Sequence, residues 1–142
     1  MDHFMKKLLL SMSLAAFALT ACSSGVVDLK PVSATQNIKH ICLKGSIKAA
    51  PDNFIDALTR SLKNKNISAE LMRNKADCDY VLFFNVRGNN HIIGRAKFEL
   101  KEMGTKQSLG SLSYKRRGDE KERVDQVGLQ GQTDLMINQL FQ

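Results

Sequence analysis

The chain has 142 residues, a formal net charge of +7 and three cysteines. That length suits one domain, and the absence of any internal repeat or low-complexity tract excludes a repeat array. The charge is uneven. Residues 22–86 carry nine basic and six acidic groups, residues 87–117 eight and two, and residues 118–142 two and five, which describes a basic patch more than a basic protein.

Residues 1–21 combine Lys6 and Lys7 with an apolar run from residue 8 to about 19, broken only by Ser11 and Ser13, and end in small residues before Cys22. This is the layout of a secretory signal. A membrane span needs about 20 apolar residues, and here polar Ser23, Ser24 and Gly25 follow at once. The tetrapeptide Leu19-Thr20-Ala21-Cys22 resembles the lipobox of bacterial lipoproteins. That resemblance implies that the Cys22 thiol takes a diacylglycerol, that the signal is cut before it and that the new amine is acylated. Ser23 after the cysteine, where aspartate would retain a lipoprotein in the inner membrane, implies anchoring in the outer membrane. At about 0.8 kcal/mol per buried methylene, several acyl chains hold permanently. Residues 22–36 lack periodicity and contain Ser, Gly, Thr and Pro31, so they are expected to form a flexible tether, with the folded domain at 37–142.

The first expected strand covers residues 37–43, which alternate until Gly45 and Ser46 interrupt the pattern. Pro51 opens a helix over about 51–64: Phe54, Ile55, Leu58 and Leu62 recur at helical spacing, with Asp52 and Asp56 early and Lys63 and Lys65 late, as the helix dipole favours. A short strand at 67–72 follows. Residues 80–86 are apolar on both faces, which predicts a central strand covered on both sides. From residue 92 to 101 the chain alternates strictly, with Ile92, Gly94, Ala96, Phe98 and Leu100 on the core side and Ile93, Arg95, Lys97, Glu99 and Lys101 on the wet side. A turn at 103–105 and a strand at 108–115 complete an antiparallel hairpin. Leu129, Thr133, Met136, Ile137 and Leu140 predict a closing helix over about 126–141, weakened at its start by Gly128 and Gly131. The order β-α-β-β-β-β-α predicts an α+β domain, a mixed sheet with two helices on one face.

The stretch Ala76-Asp77-Cys78-Asp79-Tyr80-Val81-Leu82 resembles the Ala-Asp-Tyr-Val-Leu strand of envelope domains like the TolB N-terminal domain. The chain is also similar to small Gram-negative lipoproteins with one cysteine in the first strand and one just before the central strand, the positions of Cys42 and Cys78. In an oxidising compartment that even pair reads as a disulfide, with two buried free thiols as the alternative.

No catalytic constellation is specified. His40 and Cys42 have the spacing of a thiol and its base, but no orienting Asn or Asp is identifiable. Ser111 lies on an expected strand without a nucleophile elbow. Asp77, Cys78, Asp79 and His91 lack a paired ligand spacing, so neither a metal nor a cofactor is expected. The turn Gly88-Asn89-Asn90 has no following helix to cradle phosphate. The directional feature is the cationic set Arg95, Lys97, Lys101, Lys115, Arg116 and Arg117, expected to gather on the outer face and end of the hairpin, with a solvated strand face as the alternative. These readings predict a lipoprotein of the outer membrane that is not an enzyme. Its domain, facing the periplasm, would bind an envelope protein, peptidoglycan or anionic lipid, and not nucleic acid, as an accessory factor in envelope maintenance. A thiol-dependent enzyme using Cys42 and His40, and structural attachment to peptidoglycan, are the rivals.

Overall fold

Burial of Leu82, Phe84 and Val86 on one side of residues 80–88 organises the domain. In the computed structural model, which describes residues 25–73, 78–116 and 121–142 (the side chains of 121–127 excepted), this segment is β4 (Tyr80–Gly88). It lies inside a six-stranded mixed sheet with β1 (Val26–Lys30), β2 (His40–Ser46), β3 (Ser68–Leu71), β5 (Ile93–Glu102) and β6 (Ser108–Lys115), ordered β1-β6-β5-β4-β2-β3. β2 pairs in parallel with β3 and β4, and the remaining pairings are antiparallel. Helix α1 (Phe54–Lys63) crosses from β2 to β3, and α2 (Lys121–Leu140) closes the chain. The α+β class, with a mixed sheet and two helices, is as expected.

Both helices cover the same face. Phe54, Leu58 and Leu62 of α1 and Met136, Ile137 and Leu140 of α2 join Ile41, Leu43, Leu82, Phe84, Phe98, Leu100 and Leu112 of the sheet in one core. Phe54 packs edge-on to Phe84, with ring centroids 5.4 Å apart. The helices are linked by polar groups: the Ser61 hydroxyl donates to the Asp134 carboxylate at 2.7 Å, and Gln130 Nε2 donates to the Ala57 carbonyl at 3.0 Å. α2 breaks at Gly128, whose φ of 64° and ψ of −167° are essentially confined to glycine. The helix-weakening residue of the sequence is therefore a true break.

Four expectations need correction. Residues 26–30 are not tether but the edge strand β1, and Val32 enters the core, its backbone N–H donating to the Leu140 carbonyl at 2.7 Å. The strand signal was hidden because Asp28, at φ 51°, interrupts the ladder and shifts the register between Val27 and Lys30. The first expected strand runs from His40 through Ser46, past the glycine thought to end it. Gly45 lies opposite Phe84, and an added Cβ would meet the Phe84 carbonyl and ring carbons, so glycine permits the close pairing. In β5 a register shift leaves Gly88 opposite Ile93 but Arg87 opposite Arg95, and this one-residue bulge turns Ile93 into the core, fully buried. Finally, β4 is central but has its helices on one side only; on the other, Phe83 is half-buried among long lysine side chains.

Candidate functional site

The face of the sheet away from the helices collects the alternate residues of every strand. Register places Lys44 beside Phe83, Glu99 and Ser111 across four strands, and Ser46 beside Asn85, Lys97, Ser113 and Val27 across five. Arg87, Arg95 and Lys115 form the next row. Two adjoining hollows run over these rows, of about 600 Å³ and 420 Å³. Together they are lined by six cationic residues, Lys30, Lys44, Arg87, Arg95, Lys97 and Lys115, against the two acids Asp28 and Glu99. Phe83 forms an apolar floor, with Lys44 Nζ 6.0 Å and Lys101 Nζ 5.6 Å from its ring centroid, within cation–π reach. Lys101 also pairs with Glu99 at 3.4 Å, an exposed contact that contributes little to stability.

Like charges directly opposite one another on neighbouring strands are destabilising. A face needed only for solubility intersperses the two signs. The row Arg87, Arg95 and Lys115 instead puts three cations side by side across β4, β5 and β6. Such an arrangement can take an anionic group, whose negative charge removes the mutual repulsion.

The expected site residues divide clearly. Arg95, Lys97 and Lys115 are exposed on this face, and Lys101 is partly covered beside Phe83. Arg116 follows the end of β6, its backbone N–H donating to the Gly94 carbonyl at 2.9 Å. Cys22 and Arg117 lie outside the described residues. Lys30, Lys44, Arg87 and Phe83 were missed. Lys44 and Phe83 are 39 positions apart and meet only through the parallel pairing of β2 and β4, whereas Arg87 carried a local signal, being in phase with the exposed Asn85.

At the β3 end of the same face, Cys42 and Cys78 form a disulfide with Cα atoms 6.1 Å apart, as the paired reading expected. β2 and β4 are sheet neighbours, Cys42 facing Val81, which brings Cys78, two residues before β4, within reach. Cys42 is fully buried and, bonded to Cys78, has no free thiolate to act as nucleophile in this state. His40, two residues away, reaches across to β3. Its Nε2 is 3.1 Å from Glu70 Oε1 and its Nδ1 2.6 Å from Ser68 Oγ. Among the described residues no helix is long and apolar enough to cross a membrane.

No protein-family model matches the chain, and no curated protein matches it. Solved structures do. PelC from Paraburkholderia phytofirmans, crystallised as a dodecamer, superposes with a TM-score of 0.50 at 13% identity, over 82% of this chain and 98% of that one. A single-residue variant of the same PelC superposes equally well, at 11% identity with the same coverage. At this identity the likeness is one of fold: the chain has the α+β architecture of PelC.

Proposed function

We propose that this protein is a lipoprotein anchored in the outer membrane through Cys22, and that the basic open face of its sheet docks an anionic component of the envelope without catalysing a reaction. The observation that carries the docking role is the row of adjacent cations Arg87, Arg95 and Lys115, for which no ion pair is found among the described residues, continued by Lys97 and Lys44 over an apolar floor at Phe83. The lipobox residues Leu19-Thr20-Ala21-Cys22 support the anchor.

The two parts of this reading are coupled by distance. A chain spans at most about 3.6 Å per residue, so the four steps from Cys22 to Val26 reach about 14 Å. With Cys22 acylated, the start of β1 stays within about 14 Å of the bilayer surface, and the hollow beside β1 stays near the headgroups. The partner is accordingly sought within one domain diameter of the outer membrane's inner leaflet.

The test is crosslinking in living cells with Arg95, Lys97 and Lys101 reversed to Glu. These side chains lie on the open face, so circular dichroism should be unchanged. If each reversal costs roughly 0.5–1 kcal/mol of interaction, partner recovery should fall about ten- to a hundredfold. A folded triple variant that captures the same species at wild-type yield would show the patch to be solvation only.

A further inference from the structure

The corner where β2 meets β3 has a chemistry that anion docking does not use. Parallel register sets His40 beside Ser68 and Cys42 beside Glu70, and residues two apart on a strand share a face. The ligand atoms of His40, Cys42 and Glu70 consequently lie within 4.8 Å of one another. Cys78 Sγ, bonded to Cys42 Sγ, is a fourth donor at the same point. We propose that this corner is a redox-gated site for one Zn²⁺-like cation, held by His40 Nε2, a Glu70 carboxylate oxygen and the thiolates of Cys42 and Cys78 once their disulfide is reduced.

Zinc bonds of about 2.0–2.3 Å in a tetrahedron put neighbouring donor atoms about 3.3–3.8 Å apart. The separations of 3.1 Å between His40 Nε2 and Glu70 Oε1, and 4.0 Å between Cys42 Sγ and that same oxygen, bracket this range. The imidazole is also held as a ligand requires. Ser68 Oγ lies 2.6 Å from His40 Nδ1 and 3.2 Å from the Lys39 carbonyl, so with its hydroxyl donating to that carbonyl it accepts from Nδ1–H, the tautomer that leaves the Nε2 lone pair for a metal. In that tautomer Nε2 and Glu70 Oε1 face each other across 3.1 Å, a gap that a proton bridges in the metal-free protein and a cation would bridge in its place. Two sulfur donors and one nitrogen favour zinc over magnesium or calcium. Cys42 is fully buried, while His40 and Glu70 are about half exposed, which closes the inner side of the site and leaves an entry path on the outer.

The gate is thiol–disulfide exchange. A dithiol reductant supplies two electrons and two protons, the Cys42–Cys78 bond opens to two thiols, and the reductant leaves as its own disulfide. Zinc then forms two Zn–S bonds as both thiol protons pass to solvent, with no further electron transfer.

The full chain, reduced with dithiothreitol and freed of it without air, is titrated with Zn²⁺ against a chromophoric chelator and in parallel with Co²⁺. The reduced protein should bind one equivalent, and its cobalt form should show thiolate charge transfer and the visible bands of a tetrahedral ion. The disulfide form should show neither. His40→Ala and Glu70→Ala should each weaken binding at least tenfold, the loss seen when even a supporting residue of a metal site is removed. His40→Gln and Glu70→Gln replace either variant that loses its circular dichroism. Equal affinity of the oxidised and reduced proteins, a cobalt spectrum without thiolate bands, or undiminished binding by the His40 variant overturns the proposal.

Discussion

Gln132 sits on a helix, yet its side-chain amide behaves as a strand neighbour. Its Oε1 accepts from the Ile93 N–H at 2.8 Å, while its Nε2 donates to the Ile93 carbonyl at 2.9 Å and to the Tyr114 hydroxyl at 3.0 Å. The β5 bulge makes this necessary, since Ile93 is turned inward where water cannot serve its backbone. A buried donor left unpaired costs about 1–3 kcal/mol, so Gln132→Ala should lower the unfolding free energy by roughly 2–4 kcal/mol once the lost packing is added. Urea denaturation measures this, and a change below half a unit on that scale would show that the bulge is satisfied in another way. The disulfide acts through the unfolded chain instead. Cys42 and Cys78 are 36 positions apart, and closing such a loop stabilises by about 3–4 kcal/mol on chain entropy. The double variant Cys42→Ala, Cys78→Ala should show that loss in a denaturant midpoint taken without reductant, and should match the wild type taken with it.

Among the elements, the pairing of β4, β5 and β6 holds both the stability of the sheet and its proposed docking face. Arg95 stands between Arg87 and Lys115, so Arg95→Glu turns a row of three cations into an alternating one. Cross-strand pairs of opposite charge are worth roughly 0.2–1 kcal/mol each, and like pairs cost similar amounts. The single reversal should therefore raise the thermal midpoint slightly while weakening capture of the anionic partner. Stability and binding moving in opposite directions is the signature of charges kept for function. If both fall together, Arg95 is a structural residue.

For the whole molecule, the charge distribution and the proposed anchor make one prediction each. Exposed charges act over about 8 Å at physiological ionic strength, so docking by the open face should weaken steadily as salt is raised, whereas the disulfide-linked fold should not. Cys22→Ala should abolish incorporation of labelled fatty acid and move the protein from the membrane to the soluble envelope fraction. Persistent labelling of that variant would remove the anchor from the reading and leave the docking face to be tested on a free domain.

Local periodicity made much of this molecule legible before its fold was known. The helical spacing of Phe54, Leu58 and Leu62, with Asp56 and Lys63 at the favourable ends, identifies α1, because helix formation rests on neighbours within two turns. The alternation from Gly94 to Leu100 identifies β5 and the exposure of Arg95 and Lys97 in the same way. The α+β order followed from such elements, whereas the pairing of Cys42 with Cys78 was read from an even cysteine pair in an oxidising compartment. Tertiary structure decided what depends on partners distant in sequence. β1 exists because the edge of β6 satisfies its backbone, although its own residues have no clean period. The bulge at Ile93 depends on an amide from Gln132, 39 positions away. Lys44 reaches Phe83, and His40 reaches Glu70, only through the parallel crossovers that set β2 between β3 and β4. Residue spacing determines which face a side chain takes within its own element, but the neighbours on that face are chosen by strand register, which is set only when the whole sheet closes over its core.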